Sequence, residues 1–194
     1  MSYSALLRTE TRKLHEKAEA SNLGGGIMDG SISLETYILH LQQQYASYRG
    51  VEKAINAFKH ELPDYLQLRA DGRAGNRIKT DLESRNADIP TPRNVELSNV
   101  TQAIGAMYVL EGSTMGGMMM GQSLAKCNPD LSRTTHEFYG HNPNYDREQV
   151  ALVNQGKMQR WTEFKLTLDS LNLTQLEQQD LIAGADKAFA AFIN

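Results

Sequence analysis

Residues 108–122 read YVLEGSTMGGMMMGQ. The apolar residues space as a helix, yet glycine stands at Gly112, Gly116, Gly117 and Gly121. A glycine inside a helix costs ~1 kcal/mol relative to alanine, because it surrenders the most backbone freedom. Four of them cost about 4 kcal/mol, against a whole-domain stability of roughly 5–15 kcal/mol. Two explanations compete. Either small residues let another element pack closely, with Gly121 ending the helix, or a bent helix presses bare backbone against a large flat ligand. The triplet Gly112–Ser113–Thr114 favours a bend, since adjacent Gly and Ser are common kink sites. Gly116 and Gly117 then leave peptide groups open to a ligand face. Met115, Met118, Met119 and Met120 surround these positions. Such methionines are most often adaptable core filling, and four within six residues of a helix cannot share one face. None of them reads as a metal ligand.

The rest of the chain gives this helix an all-α setting. The 194 residues are 40% hydrophobic, enough for one domain, 1–194, with its own core. Net charge is -3, which leaves no electrostatic footprint for nucleic acid or acidic lipid. A single cysteine, Cys127, excludes an internal disulfide and fits a reducing compartment. The first twenty residues lack an apolar signal core, and no apolar run approaches the roughly 20 residues of a membrane span. The expectation is a cytoplasmic protein without a nucleic-acid or membrane partner.

The five prolines sit outside the periodic segments, and between them the apolar spacing is helical almost throughout. Helices are expected over about 3–20, from a Ser33 cap to about 60, over 63–85, 98–126 and 146–171, and from Thr174 onward. The Thr174 helix has Glu177 three residues on, a complete capping box. The segment CNPDLSRTTHEFYGHNPNY, 127–145, reads as a long connection holding at most one helical turn.

On the first helix, TETRKLHEKAEA places His15 at the edge of the inward face. A lone histidine there is more often a satisfied, partly buried group than a ligand. Two neighbours shift the balance. Glu19 lies one turn on and can hold one ring nitrogen, leaving the other for a metal. Arg8 lies two turns earlier, ~10 Å along the axis, where a cation can meet carboxylates. With the glycine helix, these residues describe a sandwich around a flat ligand.

Three stretches carry a family resemblance: LLRTETRKLHEKAE, AIGAMYVLEGSTMGG and RWTEFKLTLDSLNLTQLEQQDLIAGADKAFAAF. Together they resemble the haem oxygenase family, most closely its bacterial branch. The resemblance implies a single-domain, multi-helix haem-oxygenase-like bundle that clamps haem between a proximal and a kinked distal helix. It implies oxidative opening of haem to biliverdin, carbon monoxide and ferrous iron. Oxygen and an external electron donor (a ferredoxin, a flavoprotein or a small reductant) would be required. Haem is then both substrate and cofactor.

By the same resemblance His15 is the axial iron ligand, Glu19 its supporting acid and Arg8 the basic residue upstream. Gly112, Gly116 and Gly117 admit the haem face and leave room for oxygen. Ser113 occupies a polar distal position that is aspartate in some members, so any water network is arranged differently. Tyr108 contacts a propionate and Lys165 contributes a cation; from their own positions rather than the resemblance, Met115 is a candidate pocket-lining methionine and Phe164, at core spacing, also a haem contact. The alternative on the same fold is a non-catalytic haem carrier, store or sensor. A helical scaffold without ligand is the third reading, and the glycine load opposes it.

Other residues carry less. His136 and His141 lack the partner ligands of a zinc site and read as solvated loop histidines. His40 and His60 have no acid pattern suggesting catalysis. Cys127 has no base placed beside it. Trp161, Phe164 and Leu168 have core spacing. Glu111 beside Gly112 fits a distal water contact or a salt bridge equally well.

Overall fold

The computed structural model describes residues 2–193. Among these residues ten α-helices follow one another: α1 (Tyr3–Glu10), α2 (Arg12–Ala20), α3 (Gly25–Asp29), α4 (Leu34–Asn56), α5 (Asp64–Gln67), α6 (Arg73–Glu83), α7 (Val100–Ser123), α8 (Pro129–Ser132), α9 (Arg147–Asp169) and α10 (Gln175–Ala190). The only strand-like pairing among the described residues is an isolated bridge between His136 and His141. No described helix is long and apolar enough to cross a membrane.

Most helix starts follow from local chemistry. The Ser33 hydroxyl accepts from the Thr36 amide and opens α4. Asp146 with Gln149, and Thr174 with Glu177, form reciprocal capping boxes at α9 and α10. Each satisfies amides that the first turn leaves without a helical partner.

Two expectations are corrected. The helix expected over 3–20 is divided at Thr11, whose hydroxyl donates to the Leu7 carbonyl at 2.7 Å. Such back-bonding commonly bends helices. The helix expected over 63–85 is two, α5 and α6, because Gly72 adopts φ +64° between them. The glycine run after α2 forms α3, ended by Gly30 at φ +81°.

Two apolar clusters flank the long central helix α7. One gathers Leu7, Val51, Met107, Phe164, Leu168, Leu181 and neighbours from α1, α4, α7, α9 and α10. The other gathers Ile27, Tyr37, Leu41, Ile78, Leu124 and Tyr139. Half-buried Leu110 of α7 packs against both. Helices α7 and α10 cross at glycines: a Cβ on Gly105 would strike the Leu181 carbonyl, and one on Gly184 the Gln102 carbonyl. That backbone approach seats α10 on α7 and fixes α7 as the axis around which the site is built.

Candidate functional site

Helical hydrogen bonding runs through all four glycines of the 108–122 stretch, so the expected bend does not interrupt α7. Where Gly and Ser adjoin, Ser113 and Thr114 donate to the Leu110 and Glu111 carbonyls, both at 2.6 Å. At 3.6 residues per turn, Tyr108, Gly112, Met115 and Met119 share one face, with Gly116 at its edge. Glu111 lies at the other edge, and Met107, Leu110 and Thr114 point away. The four glycines therefore serve different ends. A Cβ on Gly121 would strike the Tyr139 carbonyl, and one on Gly117 would touch the Tyr139 ring at 3.6 Å. Gly121 is thus explained by close packing inside the protein. A Cβ on Gly112 would meet the Trp161 ring at 3.4 Å. A Cβ on Gly116 would meet nothing within 4 Å, and Gly116 is exposed. The protein's own packing gives no reason for glycine at 116.

Around the Gly112 face the fold gathers most of the sequence-derived residues. Trp161 of α9 is the hub. Its ring lies 5.4 Å from that of Tyr108, stacks on Phe164 at 5.9 Å and carries the Lys165 ammonium at 5.4 Å. Burial raises the Tyr108 phenol pKa, and the nearby positive charge of Arg8 opposes the rise. Arg8 and Tyr108, a hundred positions apart, are thereby within electrostatic reach. Leu14 and Ala18, which flank His15 on α2, pack on the same cluster as Tyr108 and Trp161. Met115 is half-buried. Phe164 is fully buried, so the ring against Gly112 is Trp161, which core spacing alone does not distinguish from its neighbour.

His15 stands 57% exposed on α2, with Nδ1 3.6 Å from the Glu19 carboxylate and its ring edge-on to Phe189 of α10. Its Nε2 has no protein partner among the described residues. The buried histidines are committed elsewhere. His40 shares a hydrogen bond with the Tyr139 hydroxyl, and burial holds its pKa down at about 4. His136 is fully buried, a correction to the solvated-loop expectation. Its Nδ1 receives Tyr37 Oη at 2.7 Å and Arg85 at 2.9 Å, and its Nε2 donates to the Leu131 carbonyl at 2.9 Å. Its pKa also falls to about 4, through burial first. The chain between α8 and α9 tucks inward here because Asp81 accepts from the amides of Glu137 and Phe138 at 2.7 and 2.9 Å. His141 bonds the Ser132 carbonyl at 3.1 Å. His60 is exposed on a single 3₁₀ turn, Lys59–Glu61. An accessible imidazole backed by a carboxylate is what an iron ligand needs, and His15 has both.

The opposite face of α7 is polar in a way the sequence did not reveal. Glu111, almost fully buried, accepts from Arg69 at 3.0 Å and from Arg160 at 2.8 and 2.5 Å. It is a structural ion pair, one of the two readings open at the start. Tyr48 of α4, buried, donates to Ser113 at 2.5 Å, and burial pushes its pKa up to about 12. A phenol held protonated at neutral pH stays a donor, which fixes the Ser113 hydroxyl towards Leu110. Tyr48, Arg69, Arg160 and Trp161 escaped sequence reading because each acts across a distance of tens of residues. The nearest signal was the helical spacing of Tyr37, Tyr45 and Tyr48 on α4.

These features define a class: an all-α bundle in which a glycine-bearing central helix shares one core with an N-terminal helix bearing a carboxylate-backed histidine. A family model described as heme oxygenase matches residues 1–194, and the chain belongs to that family. It is 26% identical over 172 residues to "Heme oxygenase" of Xanthomonas campestris pv. campestris (strain 8004), covering 84% of this chain and 90% of that protein. Among solved structures it resembles the NO- and CO-bound heme oxygenase from Neisseria meningitidis, with a TM-score of 0.70 and 21% identity over 99% of this chain and 88% of that one. It also resembles a TenA homologue from P. horikoshii OT3, with a TM-score of 0.63 and 12% identity over 99% and 97% of the two chains. At these identities the structural likenesses speak for the fold alone, and two differently named proteins share it.

Proposed function

We propose that this protein is a working haem oxygenase: it binds haem between α2 and α7 and opens it to biliverdin, carbon monoxide and ferrous iron, using O2 and electrons from an external donor. The observation that carries the reading is Gly116, a glycine in mid-helix with open space where its side chain would be. Its ~1 kcal/mol helix cost has no return within the protein, whereas Gly105 and Gly121 are explained by backbone contacts. A ligand face lying against α7 supplies the missing reason.

Haem, when bound, supplies the iron that activates O2 and the ring that is cleaved. The chain supplies the rest. His15 would hold the iron through Nε2, and Glu19 would orient the ring and strengthen its basicity. Gly112 and Gly116 admit the flat ligand and keep carbon away from the reacting side, with Met115 beside them. Gly117, turned towards Tyr139, is assigned to shaping this end of the helix. Arg8, Tyr108 and Lys165 would meet the propionates, Arg8 and Lys165 by charge and Tyr108 by its hydroxyl. Trp161 holds that edge together, and Phe164 backs it from the core. Ser113, fixed by Tyr48, offers a hydroxyl in place of a carboxylate for ordering water.

The test is hemin titration followed by reductant and oxygen, with biliverdin and carbon monoxide measured. Wild type should bind one haem and release carbon monoxide, and His15→Ala should lose the histidine-ligated spectrum and turnover. Saturable binding without ring opening, under several competent donors, would make the protein a haem carrier, store or sensor instead.

A further inference from the structure

Gly117 is followed by three methionines, and the fold sends them different ways. Met120 packs against the second apolar cluster. Met118 is half-buried, whereas Met119 is 54% exposed. Met119 comes seven residues after Gly112, close to two full turns, so it lies on the Gly112 face ~10 Å further along the axis. Gly116, with open space where a Cβ would be, stands one turn before it. We propose that Met119 is a modification site: hydrogen peroxide formed in the haem slot oxidises its thioether to the sulfoxide, and the sulfoxide weakens haem binding. This rests on the proposed slot between α2 and α7 and gives that slot a reversible brake.

Access is the first reason. Met119 is the most exposed methionine among the described residues. Met115, on the same face, is half-buried, and Met107 is buried. The sulfur of Met28 on α3 already accepts from the Ser123 hydroxyl at 3.9 Å.

The oxidant is the second. O2 that takes up two electrons and two protons and then escapes is hydrogen peroxide, so a site supplied with O2 and external electrons makes its own. One peroxide oxygen bonds to sulfur as the O–O bond breaks, and the proton it carried leaves with the other oxygen as water. The thioether loses two electrons and the peroxide gains them.

The surroundings supply the effect. Oxidation makes a flexible apolar side chain polar. Gly112, Met115 and Gly116 on that face have no side-chain donor, and the amides of α7 are held in helical hydrogen bonds. A sulfoxide oxygen covered by a flat ring loses water and gains no partner, which favours the empty slot. Methionine sulfoxide reductase reverses the change.

Met158 of α9 is the reference for the test, because it is 51% exposed in a hollow lined by α9 residues alone. The hemin complex is turned over with reductant and O2 while catalase removes peroxide from the bulk, and sulfoxide is read at each methionine by peptide mass spectrometry. Met119 should be oxidised and Met158 spared. With zinc protoporphyrin bound and peroxide added from outside, the order should reverse, because the ring covers Met119. Peroxide treatment of the haem-free protein should lower its hemin affinity by about tenfold, methionine sulfoxide reductase should restore it, and Met119→Leu should show no such loss. Equal oxidation of Met119 and Met158 under catalase overturns the site, as does oxidation of Met115 in place of Met119. Failure of zinc protoporphyrin to shield Met119 takes that residue off the ligand face. A Met119 sulfoxide that leaves hemin affinity unchanged overturns the brake. Carbon monoxide is followed in the same samples: turnover with Met119 unoxidised overturns this site alone, whereas absence of a hemin complex overturns the slot and this site with it.

Discussion

Gly116→Ala separates what the glycine does for the protein from what it does for a ligand. The new Cβ meets no atom within 4 Å, so no packing cost opposes the substitution. Alanine recovers the helix propensity that glycine lacks, about 1 kcal/mol. For a chain of this size that raises the melting temperature of the haem-free protein by about 2–4 °C. The same methyl group projects towards the proposed haem face. Forcing one extra carbon into a filled contact costs about 1–3 kcal/mol, so haem affinity should fall by roughly tenfold or more. Thermal unfolding of the haem-free variant and a hemin titration followed at the Soret band read the two effects independently. A haem-free variant less stable than wild type would refute the open-space reading. A more stable variant with unchanged haem affinity and turnover would refute the slot.

Gly121→Ala should behave in the opposite way, losing about 1–3 kcal/mol of stability as its Cβ is driven into the Tyr139 carbonyl, with hemin affinity retained once folded. Glu111→Gln removes the buried charge between Arg69 and Arg160 and should cost about 3–5 kcal/mol in denaturant unfolding; a loss below 1 kcal/mol would show that the pair carries little. Stability should also fall with acidity. His40 and His136 have folded pKa values of about 4 against 6.5 unfolded. Their stabilising effect is therefore complete above pH 6.5 and is lost as pH falls to 4, roughly 3 kcal/mol apiece. Asp81, raised to about 6 from 3.8, works in the opposite sense and returns about 3 kcal/mol over pH 6 to 3.8. The net loss from pH 7 to 4 is about 3–4 kcal/mol from these three groups, and urea midpoints that do not move across that range would contradict it.

The helices that were placed correctly are those whose ends depend on residues three positions apart. The Thr174–Glu177 box and the Ser33 cap act within one turn, so their chemistry is written consecutively along the chain. Gly72 was missed as a helix break because glycine occurs both within and between helices here, and only its positive φ separates the cases. His136 looked like a loop residue because its neighbours are polar. Its burial depends on Tyr37 and Arg85, 99 and 51 positions away, and on the amides that Asp81 draws inward beside it.

By itself the sequence determined the all-α architecture and the resemblance to haem oxygenases, and it supplied the glycine helix, His15 and Glu19 on which the proposed site rests. Those follow from periodicity, capping and short motifs, which are local in the chain. Tertiary structure alone divided the four glycines, giving Gly121 to Tyr139, Gly112 to Trp161 and Gly116 to open space. It also alone set Tyr48 on Ser113 and two arginines on Glu111. Helical spacing says which way a residue points, but what it meets there belongs to another part of the chain, brought close only when apolar surface is buried.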